Sequence, residues 1–82
     1  MNYFFILKAS KVVSKKGCIF QGNDISQTPT NDAKVCAKKC ETTSECTHFT
    51  WYGGTCCIKR GDASMSNAEK SSIPGAVCGV KQ

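Results

Sequence analysis

Cysteine density is the feature of this sequence that most constrains its fold. The chain has 7 cysteines among 82 residues, several-fold above ordinary usage. A chain this short buries only about 60% of the surface that its unfolded form exposes, so it needs disulfides, a metal or a partner to hold one structure. It also has no room for a separate cofactor-binding domain, and we expect no cofactor. These properties predict one small domain held together by disulfide bonds.

The distribution of charge argues against nucleic-acid binding. The net charge is +5, but residues 1–17 contain four lysines and no acid, whereas residues 18–82 contain seven bases and six acids. The cysteine-containing part is therefore nearly neutral and lacks the basic, aromatic-rich patch that single-stranded nucleic acid requires. No window reaches the roughly 18 apolar residues of a membrane span. We expect neither nucleic acid nor a membrane span.

Residues 1–17 form a basic lead-in that precedes every cysteine. The run 3–7 is apolar, but the lysines follow it, whereas a secretory signal peptide has its basic residues first. A short strand or a disordered lead-in is the simplest interpretation, and a truncated signal peptide or a fragment of a longer secreted chain is the alternative. We expect the folded domain to span residues 18–80.

One helix is predicted to begin near residue 33. Asn31 or Thr30 is a suitable N-cap, and Asp32 supplies an acid in the first turn. Four small or apolar residues follow at helical spacing and share one face, namely Ala33, Cys36, Ala37 and Cys40. A polar run then returns the chain to Cys46. We expect a Cys40–Cys46 disulfide at the end of this helix.

A β-hairpin is predicted around the Gly53-Gly54 pair, because β-branched and aromatic residues flank it on both sides. A two-residue turn pairs Trp51 with Cys56 and Phe49 with Ile58, and alternation puts these four side chains on one apolar face. That face should pack on the helix, which favours a Cys36–Cys56 disulfide. The other face is mixed and holds His48, Thr50, Tyr52, Cys57 and Lys59.

The remaining cysteines are Cys18, Cys57 and Cys78. A Cys18–Cys78 disulfide would join two short apolar strands at the ends of the domain and close the largest loop, which stabilises most in the chain-entropy account. Cys57 is then the odd cysteine. It is either free or bridged to another chain.

Four further motifs are Cys18-x3-Gly22-x-Asp24-Ile25, Cys36-x3-Cys40-x5-Cys46-x2-Phe49-Thr50-Trp51, Gly54-Thr55-Cys56-x-Ile58-Lys59 and Pro74-Gly75-Ala76. Together these motifs resemble the PAN/apple domain family. The resemblance covers about residues 18–80 and implies an α+β fold, a small disulfide-rich domain with one helix packed on an antiparallel β-sheet. It looks similar to apple-like modules of secreted microbial proteins, including oomycete carbohydrate-binding proteins, which implies an extracellular location and often a longer modular protein. Cys57 stands where relatives often carry a tryptophan.

Metal binding and catalysis are the weaker interpretations of the cysteines. Structural zinc sites favour two closely spaced cysteine pairs or a cysteine pair with a histidine pair, and this sequence has one such pair and a lone histidine. His48 and Cys57 are diagonal neighbours on the mixed face, but no third group orients them as a nucleophile and base. Asp24 is interpreted as a turn residue with side-chain bonds to backbone. We expect no metal site and no enzyme.

Binding is the favoured function. The ligand-binding candidates are His48, Tyr52, Lys59 and Arg60, because an aromatic ring beside hydrogen-bond donors suits a sugar ring or a protein loop; a merely solvated sheet face is the alternative. We expect Trp51 to pack on a disulfide, and residues 61–75 to form a polar loop. The sequence predicts a non-catalytic extracellular module that recognises carbohydrate or protein. The alternative is a small secreted effector or inhibitor acting on an enzyme or receptor.

Overall fold

The computed structural model describes residues 12–82, so the interpretations of the apolar run 3–7 lie outside the described residues. Among these residues, one α-helix packs on a five-stranded antiparallel sheet of order β1-β7-β4-β5-β3, and β2 and β6 form a separate two-stranded sheet. This architecture confirms the predicted α+β, disulfide-rich fold. The elements are β1 (Val12–Lys16), β2 (Cys18–Ile19), β3 (Asp24–Pro29), α1 (Ala33–Thr42), β4 (His48–Tyr52), β5 (Thr55–Lys59), a 3₁₀ helix (Met65–Asn67), β6 (Glu69–Lys70) and β7 (Val77–Lys81).

The helix begins at Ala33, as predicted, but its N-cap differs from the predicted one. Asp32, rather than Asn31 or Thr30, is the N-cap, and its carboxylate accepts a hydrogen bond from the Lys34 amide at 2.8 Å. An aspartate at this position satisfies an amide that has no partner within the helix. The helix buries Cys36 and Cys40 completely against the sheet, as their spacing predicts.

The hairpin of β4 and β5 has the predicted register. Trp51 pairs with Cys56 and Phe49 pairs with Ile58 across the strands. Phe49 and Ile58 are buried beneath the helix with the cysteines. The half-buried Trp51 packs against the same cluster and donates from Nε1 to the Thr30 carbonyl at 2.8 Å. The apolar face of the hairpin is thus the floor of the main core.

Three disulfides hold the layers together. They join Cys18 to Cys78, Cys36 to Cys56 and Cys40 to Cys46, the pairs expected from the sequence. Cys57 is the free cysteine, and it is buried.

The sheet begins before the predicted domain boundary. β1 pairs with β7 along its length, with Ser14 opposite Gly79, so residues 12–17 are part of the folded unit and the boundary at residue 18 is corrected. Most side chains of β1 are exposed and two are lysines. Lysine-rich edge strands protect sheets from unwanted pairing, and their polarity makes them easy to mistake for a solvated tail. Within residues 12–82, no helix is long and apolar enough to cross a membrane.

Candidate functional site

A short segment after β2 covers the sheet face opposite the helix. The Phe20 amide donates to the Thr50 hydroxyl at 2.8 Å, and that hydroxyl donates to the Phe20 carbonyl at 3.2 Å. The Phe20 ring meets the His48 ring edge to face, with 4.9 Å between ring centroids. Two hydrogen bonds and an aromatic contact therefore fix this segment on β4.

Because this segment covers the sheet, the expectation of a mixed, solvent-facing sheet surface is corrected. His48 is 2% exposed and Lys59 is 3% exposed, although both were ligand-binding candidates. The Cys18–Cys78 disulfide anchors the covering segment, and its sulfurs form a second core cluster with Phe20. The face is buried because a distant part of the chain is bridged across it, which hairpin register alone does not reveal.

An ion pair lies beneath the covering segment. The buried Lys59 ammonium donates to the Gly22 carbonyl at 2.8 Å and to a carboxylate oxygen of Asp24. Gln27 donates to the other oxygen of Asp24 at 2.6 Å. Asp24 is therefore an ion-pair partner, which corrects its interpretation as a turn residue with side-chain bonds to backbone.

Burial and neighbouring charge act in opposite directions on the pKa of Asp24. Partial burial disfavours its ionised form, but hydrogen bonds from Lys59 and Gln27, together with the lysine's charge, hold the pKa of Asp24 below its ordinary value. The carboxylate is consequently ionised at neutral pH and neutralises the lysine. The sheet face thus holds a fixed acceptor and a fixed donor side by side.

His48 serves as a structural residue. The Thr47 hydroxyl donates to the Gly61 carbonyl at 2.6 Å, so it must accept from Nδ1 of His48, 2.8 Å away. Burial, reinforced by the nearby Lys59 charge and opposed by Asp24, lowers the pKa of His48. The ring is therefore neutral at pH 7, with its hydrogen on Nδ1.

A cleft of about 330 Å³ remains open beside the covering segment. Two of the four ligand-binding candidates, Tyr52 and Lys59, line it. His48 lies under Phe20, and Arg60 is exposed elsewhere, 3.9 Å from Glu45. The other eight lining residues were not candidates, although the hairpin register had placed two of them, Thr50 and Cys57, on the same mixed face. The cleft is lined by Ile19, Phe20, Gln21, Gly22, Asp24, Thr50, Tyr52, Cys57, Lys59 and Ile73.

The free thiol of Cys57 lies in this cleft with 4% of the residue exposed. Burial, followed by the negative charge of Asp24, raises the pKa of the thiol despite the opposing charge of Lys59. The sulfur stays protonated at neutral pH, and its low exposure disfavours attack on a sulfur of another chain. The proposed bridge to another chain through Cys57 is therefore not expected in the native state.

Cys57 will be unreactive in the folded protein. We expect Ellman's reagent at pH 7.5 to modify the native chain at least about tenfold more slowly than the chain unfolded in guanidinium, because thiolate fraction and access both fall on folding. One thiol per unfolded chain, and none in a Cys57→Ser variant, is the control. Equal rates for the folded and unfolded chains would show that the thiol is accessible.

The structure also bears on metal binding. Within residues 12–82, no group of three or more histidine, cysteine, aspartate or glutamate side chains is placed to hold a metal ion. The cleft's chemistry is that of an aromatic wall and a charged hydrogen-bonding pair.

Within residues 12–82, a single helix bridged by one disulfide to an antiparallel sheet, with a second disulfide between Cys18 and Cys78, defines a class of small disulfide-stabilised α+β domains. A model of the PAN domain family matches residues 11–78, and the chain belongs to this family. The solution structure of a PAN module from Eimeria tenella matches it with a TM-score of 0.63 and 28% sequence identity, over 84% of this chain and 78% of that chain. No curated protein matches. The family is one of protein- and carbohydrate-binding modules, generally non-catalytic.

Proposed function

We propose that this protein is a non-catalytic extracellular recognition module and that the cleft beside Tyr52 binds its ligand, with carbohydrate favoured over protein. The observation that supports this most is the juxtaposition of the Tyr52 ring with the Asp24–Lys59 pair in one open cleft. Sugars are recognised by an aromatic ring against the C–H face of the ring and by paired donors and acceptors against the hydroxyls.

The cleft is small and its polar groups are already fixed. Its volume of about 330 Å³ lies at the lower end of the range for ligand pockets, which suits the end of a glycan. Lys59 and Asp24 hold each other in place, and Gln21 is oriented by a 3.0 Å hydrogen bond to Glu69. Ordering these groups on binding therefore costs little, which favours affinity for a small ligand.

The three disulfides support the extracellular location, since such bonds persist in oxidising compartments. A protein ligand is the second candidate, because Ile73 at the cleft is 42% exposed and apolar. If this protein is instead a secreted effector or inhibitor, it would contact its target enzyme or receptor through the same cleft.

A glycan array followed by calorimetry tests the proposal. We expect one glycan class to bind the wild-type chain, and Tyr52→Ala to weaken it about tenfold or more, since aromatic anchors dominate small interfaces. Arg60→Ala is the matched control, because Arg60 is exposed outside the cleft, and it should bind normally. Glycan binding that survives Tyr52→Ala would remove the site from this cleft. An array without binding, with Tyr52-dependent binding to a protein, would replace carbohydrate by protein.

A further inference from the structure

A second concave surface lies between α1 and β1, away from the cleft. This groove has a volume of about 560 Å³. Its apolar lining comes from the first strand, the helix and the last strand, through Val12, Ala33, Ala37 and Val77. Three of the lining residues, Ala33, Ala37 and Glu41, are spaced four apart, so they follow one line along the helix for about 12 Å. That length accommodates three to four residues of extended chain.

Positive charge surrounds the groove. Lys16, Lys34 and Lys38 line it and are exposed, against two acids, Asp32 and Glu41. Lys15 contributes backbone only, because it pairs with Cys78 and its side chain lies on the other face of the sheet. The Asp32 carboxylate already accepts the Lys34 amide as the helix cap. Among residues 12–82, the ion pairs involve other basic residues, so these three lysines have no carboxylate partner there. A ligand with negative charge would complement them.

Two further groups indicate the form of the ligand. One carboxylate oxygen of Glu41, which lines the groove, is buried and has no hydrogen-bond partner among residues 12–82. A buried acceptor of this kind favours a ligand that brings an N–H donor. β1 is also the edge strand of the sheet, paired within the described residues with β7 alone. Edge strands bind extended peptides through their free backbone groups.

We propose that this groove is a second binding site, separate from the ligand cleft, and that it binds an extended acidic peptide segment of a protein partner. The apolar floor takes an aliphatic side chain of the segment, the lysines pair with its carboxylates, and its backbone N–H groups face Glu41 and the edge of β1. This site does not depend on the ligand of the cleft. The protein would then hold a cleft ligand and a protein partner on opposite faces of its sheet.

NMR titration of the full ¹⁵N-labelled chain tests this proposal. The probe is an acetylated hexapeptide of alternating aspartate and leucine, at low salt. We expect amide shifts concentrated at Val12, Ala33, Ala37 and Val77, and none at Tyr52. Lys38→Glu should raise the dissociation constant about tenfold. Lys70→Glu, which makes the same charge change at an exposed residue outside the groove, should leave it unchanged. The peptide with lysine in place of aspartate should not bind.

Several results would overturn the proposal. Equal weakening by Lys38→Glu and Lys70→Glu would indicate general charge attraction, and unshifted groove amides at millimolar peptide would exclude the site. Shifts produced by a sulfated hexasaccharide but not by the peptide would assign the groove to a polyanionic sugar. Nuclear Overhauser contacts between residues 1–11 and Ala37 in the free chain would assign it to the chain's own N-terminal segment. Peptide binding that is lost in Tyr52→Ala would show that the peptide occupies the cleft and not a separate site.

Discussion

Replacing Cys18 and Cys78 together by alanine will lower the free energy of unfolding by about 4 kcal/mol, the chain-entropy value for a loop of this length. The bridge spans 60 residues and ties the strand that leads into the covering segment to the last strand of the sheet. Its loss frees almost the whole domain in the unfolded state. It also loosens Phe20 and the cleft that depends on it. Guanidinium denaturation monitored by tryptophan fluorescence measures the change.

Two variants serve as controls for this effect. The Cys40–Cys46 bridge spans 6 residues, so its removal should cost only about 2 kcal/mol by the same loop-length dependence. Cys57→Ala removes a buried cysteine without breaking a bridge and measures the effect of losing the side chain alone. If the long and short bridges stabilise equally, loop closure does not explain the stability of this domain.

Gly79→Ala will destabilise the domain by about 3 kcal/mol, at the upper end of the range for overpacking a core. A Cβ at this position would lie 2.8 Å from Cζ of Phe49 and 2.8 Å from the Val13 carbonyl oxygen. Phe49 is fully buried beneath the helix and cannot move aside. The backbone oxygen of β1 closes the other side. Thermal and chemical denaturation will both report the loss.

A double variant separates steric crowding from other causes. In Gly79→Ala with Phe49→Leu, the smaller side chain leaves room for the added methyl, so the pair should be at least about 1 kcal/mol more stable than the sum of the single changes. Ser14→Ala, at the exposed position opposite Gly79 on β1, should have little effect. Strict additivity of the Gly79 and Phe49 changes would show that the two residues do not compete for space.

The sequence predicts the helix-to-sheet half of this fold well because its signals are local. Gly53-Gly54 defines the turn, the turn defines the register, and alternation then assigns Cys56 to the helix face and Cys57 to the other. Helical spacing places Cys36 on the matching stripe. Each step uses residues within a few positions of one another, and disulfide geometry joins the two elements.

The other half of the fold depends on long-range contacts that leave little local signal. Phe20 reaches Thr50 across thirty residues, and only that crossing explains why His48 and Lys59 are buried. A histidine and a lysine on a strand ordinarily indicate a solvated face. The pairing of Lys59 with Asp24 required a bulged strand, β3, whose register shifts between Asp24 and Ser26. Of the predicted ligand-binding residues, Tyr52 and Lys59 therefore line the cleft. The other lining residues are there because the Phe20 segment packs across the sheet.

The first and last strands described in this domain are neighbours. Val12 lies opposite Lys81 in an antiparallel pair, where facing Cα atoms are about 5 Å apart. The two ends of the described segment thus lie close together, at the sheet edge formed by β1. A domain with this geometry can be grafted into an exposed loop of a host protein without stretching the host backbone. The grafted domain would project from the surface of the host, and it would carry both the cleft and the basic groove.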